Sequence, residues 1–265
     1  MKLPSSLLSG RLDAAIIDLD GTMVDTMGDF VMAVNLMLRD LGYDAVDRSV
    51  VALRVGKGSE NLVNSVLNYA VDQLKRVQAA PKKIANFEHS LGLYQQHYRS
   101  INGQHAEVYP GVMDGLQALH KSGLKLACLT NKPSSFAREL LKLKGLDGFF
   151  DHIFGGDSYA RKKPDPLPVL GTCQALGTLP ARTAMVGDSS NDAQAARAAG
   201  CPVLLVTYGY NHGEPIRSVD ADGFIDSLED AAAQLQTLLD LTPSSASLSL
   251  KSAGWGPTQI RIRAL

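Results

Sequence analysis

The sequence is poor in cysteine, and its charges nearly balance. Its 265 residues include 3 cysteines, Cys128, Cys173 and Cys201, and the formal net charge is -1. Three widely spaced cysteines suggest neither a disulfide framework nor a zinc site. The basic residues are scattered rather than clustered, which argues against a nucleic-acid partner. We therefore expect a cytoplasmic protein whose ligands are small molecules.

Long apolar runs are also lacking. The chain contains no stretch of about 18 apolar residues, which is the length that a membrane span needs. Residues 1–20 contain no long apolar region followed by a small-residue cleavage site. We therefore expect neither secretion nor membrane insertion. The 45% of hydrophobic residues is nevertheless enough for a large core, with or without a smaller attached domain.

Short apolar runs alternate with helical patterns in two parts of the chain. The first run, residues 14–19, is typical of a buried strand that ends in a polar turn. Comparable runs occur at residues 124–129, 184–186 and 202–206, and a weaker one at 152–154. Strands that alternate with helices predict an α/β fold, in which helices cover both faces of a parallel sheet.

Residues 26–108 interrupt this alternation with apolar residues at helical spacing and no convincing strand. An insertion of about 80 residues is far longer than an ordinary loop of about 4 to 6 residues, so it predicts a helical cap domain. The core then comprises residues 1–25 and 109–240, and residues 241–265 form a Ser-rich tail that we expect to be disordered. Three apolar stripes define the cap: Phe30, Val34, Met37 and Leu41; Leu62, Val63, Val66, Leu67, Val71 and Leu74; and Ile84, Phe87, Leu91, Tyr94 and Tyr98.

Two carboxylates, Asp18 and Asp20, lie one residue apart where the first predicted strand ends. Ligands of parallel α/β folds bind at this end of the strands. Two acids so close together repel each other unless a cation or shared chemistry offsets the repulsion. An isolated pair of this kind is more often a surface turn, but the preceding hydrophobic strand and the following Gly21-Thr22 favour a functional site.

Three further polar groups follow predicted strands or precede helices. Thr130 ends the strand at 124–129, Lys163 lies in the segment KKPDP, and residues 187–192 read GDSSND. Taken singly, Thr130 is better explained as a helix cap, Lys163 as a solvated charge, and GDSSND as a loop with an N-cap. Their combination in this order is what indicates a catalytic site.

The four motifs together resemble those of the haloacid dehalogenase superfamily, whose first motif is a hydrophobic run followed by DxDGT. The resemblance extends from the first strand to residue 239 and implies a Rossmann-like parallel sheet with an inserted helical cap. An acid at the position of Asp20 is generally lacking in the dehalogenases, which attack carbon and expel halide. Its presence therefore favours hydrolysis of a small phosphate monoester.

The side chains can carry out such a reaction in two steps. Asp18 can attack phosphorus and form an aspartyl phosphate. Asp20 can protonate the leaving alcohol and then take a proton from the attacking water. Thr130 and Lys163 would contact the phosphate oxygens, and we also assign Asn131, which follows Thr130, to substrate binding.

The resemblance also implies a metal site. In the family, Mg2+ is held by the carboxylates that match Asp18 and Asp188 and by the backbone carbonyl that matches Asp20. We expect Asp192 to orient Lys163 or a metal-bound water rather than to bind the metal itself. The histidines show no spacing that indicates a metal site, although His212 lies beside a distinctive segment, TYGY.

The cap resembles the family's first cap class, which closes over the site and usually restricts it to small substrates. The loop 54–59, RVGKGS, is either an anion-binding loop that uses Arg54 and Lys57 or a solvated helix start. Residues 207–214, the cap loop and the sequence YPGV at residue 109 are similar to segments of bacterial phosphoglycolate phosphatases. Their substrate, 2-phosphoglycolate, is therefore the first candidate.

Other activities remain open at this point. Phosphatases of sugar phosphates, nucleotides, N-acetylmuramate 6-phosphate and pyrophosphate share the core motifs. A phosphomutase of the same fold would return the phosphate to a second hydroxyl, and a non-enzymatic binding protein would not need a nucleophile beside an acid. The sequence does not indicate an oligomeric state.

Overall fold

The computed structural model describes residues 12–76 and 86–241. Its strands, in chain order, are β1 (Ala14–Ile17), β2 (Val24–Asp25), β3 (Glu107–Val108), β4 (Lys125–Leu129), β5 (His152–Phe154), β6 (Thr183–Gly187), β7 (Val203–Val206) and β8 (Gly223–Ile225). Its α-helices are α1 (Met27–Asp40), α2 (Arg48–Ala52), α3 (Ser59–Arg76), α4 (Phe87–Ile101), α5 (Val112–Lys121), α6 (Ser134–Leu143), α7 (Leu167–Leu176), α8 (Ser190–Ala199) and α9 (Leu228–Leu241).

The core of the fold is a six-stranded parallel sheet in the order β5-β4-β1-β6-β7-β8. The first strand, β1, lies in the middle and pairs with β4 on one side and β6 on the other, so that Ile17 is opposite both Cys128 and Val186. Every residue of β1 is buried, as expected for a central strand covered on both faces. The predicted α/β, Rossmann-like fold class is confirmed.

Side chains of β1 alternate between two hydrophobic clusters. Ala15 and Ile17 pack with residues of α5, α6 and α9 on one face of the sheet. Ala14 and Ile16 pack with residues of α7 and α8 on the other face. This alternation follows from the two-residue period of a strand, and the helices on each face exclude water from the sheet.

A third hydrophobic cluster lies outside the sheet and joins α1, α3 and α4. Its fully buried members include Met37, Val63 and Tyr94, and Phe136 of α6 packs against it. The short antiparallel ribbon of β2 and β3 pairs Val24 with Val108, where the chain leaves the sheet region for these helices and returns from them. We refer to the helices α1–α4 as the cap helices.

Most predicted elements appear within one or two residues of their expected positions, but three strands were missed. They are β8, which extends the sheet by three residues, and the two-residue strands β2 and β3. The predicted start of the third cap stripe at Ile84 and the predicted tail lie outside the described residues, except for residue 241. Within the described part of the chain, no helix is both long and apolar enough to cross a membrane.

The contact between α5 and α9 depends on Gly115. A Cβ atom at this position would lie 2.5 Å from the carbonyl carbon of Leu228 and 2.6 Å from its oxygen, which are backbone atoms that cannot rotate away. We expect Gly115→Ala to separate the helices and to lower the free energy of unfolding by about 1–3 kcal/mol. Urea denaturation at equilibrium measures this change.

Gly92 in α4 provides the matched control, because no atom lies within 4 Å of the position that its Cβ would occupy. Gly92→Ala makes the same chemical change in a helix interior without a clash. We expect this variant to gain up to about 1 kcal/mol from the higher helix propensity of alanine. Equal effects of the two substitutions would show that the close approach of α5 and α9 does not limit stability.

Candidate active site

The carboxyl ends of neighbouring strands carry the predicted site residues. Asp18 follows β1, Thr130 follows β4 and Asp188 follows β6, and these three strands are adjacent in the sheet. All three side chains are buried. Because parallel strands end at the same edge of a sheet, residues far apart in sequence converge there.

Lys163 joins the carboxylates of this site. Its Nζ donates hydrogen bonds to Asp18 Oδ1 at 2.8 Å, to Asp192 Oδ1 at 2.6 Å and to the carbonyl oxygen of Leu129 at 2.7 Å. Burial alone would lower the pKa of this ammonium group, but the two carboxylates outweigh burial and raise the pKa. Lys163 is therefore a permanent buried cation beside the predicted nucleophile.

Both carboxylate oxygens of Asp192 accept hydrogen bonds. While Oδ1 accepts from Lys163, Oδ2 accepts from the hydroxyl of Ser189 at 2.7 Å and from the backbone N–H groups of Ser189 and Asp188 at 3.2 and 3.3 Å. These bonds cap the first turn of α8. The side chain thus holds both Lys163 and the loop that presents Asp188.

Asp188 lies under two loops that approach it closely. Its Oδ2 accepts a hydrogen bond from the backbone N–H of Tyr210 at 2.5 Å. A Cβ atom on Gly21, which has a φ of 85°, would lie 2.1 Å from the same oxygen. Burial first, and then the charges of Asp192 and Asp18, raise the pKa of Asp188 well above its usual value. Only glycine at position 21 permits this packing.

These residues suit a divalent cation. Ligand oxygens of Asp18, Asp188 and Asp192 lie within 4.8 Å of one another. When all three carboxylates are ionised, they and the ammonium group of Lys163 carry a net charge of about -2, which matches the charge of one divalent ion. Among the described residues, none donates a hydrogen bond to Asp18 Oδ2 or Asp188 Oδ1, so these two oxygens are available as ligands.

Asp20 has hydrogen-bond partners that differ from those of this carboxylate cluster. Its Oδ1 accepts hydrogen bonds from Thr26 Oγ1 and from Lys132 Nζ, both at 2.7 Å. The Asp20 side chain is 11% exposed and lines the same cavity as Asp18. The two predicted catalytic carboxylates therefore share one cavity but have different partners, as their different predicted roles require.

Thr130 and Asn131 follow β4 at the floor of the cavity. The Thr130 hydroxyl oxygen accepts from the backbone N–H of Lys132 at 3.2 Å, so its proton can be donated to a ligand. The Asn131 amide group donates to the carbonyl oxygens of Lys163 at 2.8 Å and Gly56 at 3.0 Å, and its oxygen accepts from the Lys163 backbone. Asn131 thereby connects the Lys163 loop to the cap.

The cavity between the sheet edge and the cap helices has a volume of about 40 Å3. This is room for about three water molecules. Polar groups of the sheet edge form its floor, whereas apolar and aromatic side chains of the cap form its roof. The roof residues are Phe30, Val55, Leu62, Tyr94 and Tyr98.

Arg54 and Lys57, predicted as substrate contacts, do not line this cavity. The Arg54 guanidinium donates to the carbonyl oxygens of Val50 at 2.6 Å and Ser65 at 3.4 Å, and it lies 4.9 Å from the ring centre of Tyr69. These contacts stabilise the cap itself, and Lys57 is exposed. The backbone of the loop, rather than its basic side chains, reaches the cavity, as Gly56 and Gly58 do.

Several residues that contact the site were not predicted from the sequence. Lys132 contacts Asp20, and Asn191 donates to the carbonyl oxygen of Gly56 at 3.2 Å. His212, with a φ of 53°, contacts the Asn191 amide at 3.1 Å, and burial first and then the charge of Lys57 lower its pKa. Asn191 lies within the recognised segment GDSSND and Lys132 directly follows Asn131, and this proximity is the signal that could have identified them.

Comparison with known families gives one match over most of the chain. The family model described as haloacid dehalogenase-like hydrolase matches residues 15–206. This range includes every residue of the carboxylate cluster, Thr130, Lys163 and the cap helices. The matched range is more than half of the 265 residues.

Individual relatives and solved structures agree with this family match. The phosphoglycolate phosphatase of Thiobacillus denitrificans is 41% identical over 83% of this chain and 94% of its own length. The plasmid-encoded phosphoglycolate phosphatase of Cupriavidus necator is 43% identical over 88% and 96%. The crystal structure of a predicted phosphoglycolate phosphatase from Haemophilus somnus superposes with a TM-score of 0.80 at 30% identity, covering 85% of this chain and 99% of that one.

Proposed function

The chain belongs to the haloacid dehalogenase-like hydrolase family and is a phosphoric monoester hydrolase, and we propose that it hydrolyses 2-phosphoglycolate to glycolate and phosphate. One observation carries the reaction type. A buried carboxylate, Asp18, lies beside the fixed cation Lys163 in a small cavity that also contains a second carboxylate with different partners. The names of the relatives support the substrate.

In the first step, an Asp18 oxygen attacks phosphorus and the bond from phosphorus to the ester oxygen breaks. Protonated Asp20 gives its proton to that leaving oxygen, so glycolate departs as the alcohol and Asp18 carries the phosphoryl group. The Thr130 hydroxyl donates to a non-bridging oxygen, where negative charge accumulates, and Lys163 places its positive charge beside these oxygens. The three N–H donors of Lys163 are used by Asp18, Asp192 and the carbonyl oxygen of Leu129, so Lys163 donates to the phosphate when its bond to Asp18 opens. The side chains are already held by hydrogen bonds and need little rearrangement.

In the second step, water attacks the phosphorus of the phospho-aspartyl group. Asp20, now a carboxylate, takes a proton from this water while the bond between phosphorus and the Asp18 oxygen breaks. Inorganic phosphate leaves, Asp18 is regenerated as a carboxylate and Asp20 is protonated again. The residues therefore return to their starting states after each turnover.

We propose Mg2+ as the metal, held by the Asp18 and Asp188 carboxylates and the Asp20 backbone carbonyl. Hard oxygen ligands suit Mg2+, and the two uncompensated negative charges of the cluster match its charge. When bound, the ion would neutralise charge on the phosphate and on the carboxylates that face it. Asp192 keeps Lys163 in place and does not need to bind the metal.

The small cavity supports a small substrate. Side chains of the cap cover the cavity that Asp18 lines, so a substrate bound there is enclosed between the sheet edge and the cap. This enclosure favours a small leaving group over one as large as N-acetylmuramate or a nucleoside. We propose that residues 26–108 form a cap domain that moves to admit substrate, while residues 1–25 and 109–240 form the core. Glu60 of the cap and Lys162 of the core meet at 2.6 Å, and Gly56 accepts from Asn131 and Asn191.

A substrate panel tests the proposal. Purified protein with Mg2+ is assayed on 2-phosphoglycolate, pyrophosphate, a sugar phosphate, a nucleotide and N-acetylmuramate 6-phosphate. We expect kcat/KM for 2-phosphoglycolate to exceed the others by at least about tenfold, and chelation of the metal to stop the reaction. Asp18→Asn protein, purified in parallel, reports any contaminating phosphatase.

The possible outcomes separate the parts of the proposal. A higher kcat/KM for another member of the panel would contradict the substrate assignment but keep the reaction type. Absence of phosphate release from every member would contradict the phosphatase itself. Accumulation of an isomeric phosphate ester in place of free phosphate would identify a phosphomutase.

We also propose a cytoplasmic location. All three cysteines are free and buried. Cys173 and Cys201 have their sulfur atoms 3.9 Å apart and remain thiols. A reducing compartment suits such an unbridged pair.

A further inference from the structure

Lys132 is a buried lysine at the edge of the active site. Only 2% of its side chain is exposed, although lysine is almost never fully buried unless it is paired. Its Nζ donates to Asp20 Oδ1 at 2.7 Å and lies 4.7 Å from the ring centres of both Phe30 and Tyr98. The ammonium group is thus held between one carboxylate and two aromatic faces.

The contacts of Asp20 are asymmetric. Lys132 Nζ and Thr26 Oγ1 both donate to Oδ1, which occupies both lone pairs of that oxygen. Throughout the described part of the chain, no group donates to Oδ2. Oδ2 is therefore the oxygen that can face a substrate, and the two contacts at Oδ1 determine how Oδ2 is oriented in the cavity.

The aromatic contacts of Lys132 come from the cap helices. Phe30 belongs to α1 and Tyr98 to α4, and their rings stack at 5.6 Å. Tyr98 also packs against Phe136 at 5.2 Å. Lys132 itself lies in the loop after β4, so the rings and the ammonium group meet only where cap and sheet regions touch.

We propose that Lys132 is a positioning residue that holds the Asp20 carboxyl group ready for proton transfer, and that Phe30 and Tyr98 of the closed cap hold Lys132 in this position. The inference rests on the proposed phosphatase function. It also connects the position of the cap to the position of Asp20. If Phe30 and Tyr98 moved away, Lys132 would lose its aromatic contacts and would no longer hold the Asp20 side chain in place. The two reaction steps described above stay the same.

Lys132→Met tests the proposal, since methionine keeps much of the length and volume of the side chain but removes the charge. The probes are 2-phosphoglycolate, whose leaving alkoxide needs a proton, and acetyl phosphate, whose leaving acetate does not. With enzyme in excess, we expect glycolate release in the first turnover to slow by about 10²-fold and acetate release by less than about tenfold. A purely structural defect would slow both by the same factor.

A double-mutant cycle makes the test independent of folding effects. If Lys132 acts through Asp20, adding Lys132→Met to Asp20→Asn should change the rate of glycolate release by no more than about twofold. The matched control is Lys125→Met, at the other end of β4, where the exposed lysine donates to the carbonyl oxygen of Leu176. This control should retain the wild-type rates on both substrates.

Several outcomes would overturn the inference: equal losses on the two substrates, additive losses in the double variant, or a rise in KM on both substrates with kcat unchanged, which would make Lys132 a substrate-binding group. If Lys132→Met does not fold, Phe30→Leu can be used instead, because it removes one aromatic contact of Lys132. We expect Phe30→Leu to slow glycolate release more than acetate release, by a smaller factor than Lys132→Met. An inactive wild-type protein would contradict the proposed function itself. If the wild type is active but Lys132→Met slows the reactions of 2-phosphoglycolate and acetyl phosphate by the same factor, only this inference is contradicted.

Discussion

Replacing Asp18 by asparagine is expected to lower kcat by at least about 10⁴-fold, as removal of a covalent nucleophile does in other hydrolases. The amide has nearly the shape of the carboxylate but has no anionic oxygen to attack phosphorus or bind a metal. Lys163 keeps its bonds to Asp192 and to the carbonyl oxygen of Leu129 in the variant. The site is therefore expected to stay assembled while turnover stops.

The same substitution is expected to leave the fold intact. Burial raises the pKa of Asp18, and the charge of Lys163 opposes this rise. The amide removes one of three crowded carboxylates, and Lys163 keeps Asp192 as its counterion, so no buried charge is left unpaired. The substitution should therefore change the free energy of unfolding by less than about 1 kcal/mol. Circular dichroism and urea denaturation in EDTA, on the protein used for kinetics, measure this change.

Asp13→Asn is the matched control for Asp18→Asn. Asp13 precedes the same strand, β1, at the opposite end of the sheet, where it pairs with Arg182 at 2.5 Å and is 32% exposed. This variant loses an ion pair at the surface, so full activity and a stability change within about 1 kcal/mol are expected. Substantial turnover by Asp18→Asn would show that another group is the nucleophile.

The sequence was sufficient to place the core of the site because parallel strands align their carboxyl ends. Asp18, Thr130 and Asp188 each follow a strongly apolar run, and such runs predict buried strands wherever they are long enough. The spatial order of the strands was not needed to infer that these residues meet. By contrast, β8, Gly223–Ile225, begins with glycine and has only two apolar residues before Asp226, so its sequence resembles a loop.

The contacts of the cap could not be predicted in the same way. Lys132 looks like a solvated loop lysine, and its burial depends on Phe30 and Tyr98, which are distant in sequence and arrive only when the helices pack. Arg54 shows the reverse case, because a basic residue in a glycine-bearing loop resembles an anion contact. Its guanidinium instead donates hydrogen bonds to carbonyl oxygens of the cap. The type of side chain does not show whether a basic residue will bind an anion or neighbouring backbone.

Lys163→Met is expected to destabilise the protein as well as inactivate it. Within residues 12–76 and 86–241, no other ammonium group contacts Asp18 or Asp192, and Asp188 lies in the same cluster. Breaking a buried ion pair by removing one partner costs about 3–5 kcal/mol, because the remaining charge has neither water nor a counterion. We expect a loss of this size in the free energy of unfolding measured with urea in EDTA.

Added Mg2+ should recover part of this loss, because an ion that binds only the folded state stabilises that state. The recovery should be larger for Lys163→Met than for wild type, since the cluster of the variant carries one more uncompensated negative charge. Lys125→Met again serves as control and should lose no more than about 0.5 kcal/mol. If Lys163→Met were as stable as wild type in EDTA, the carboxylates would have to be neutral in the folded protein. A cluster of that kind would bind Mg2+ only with release of protons, so proton uptake or release on titration with Mg2+ distinguishes the two states of charge.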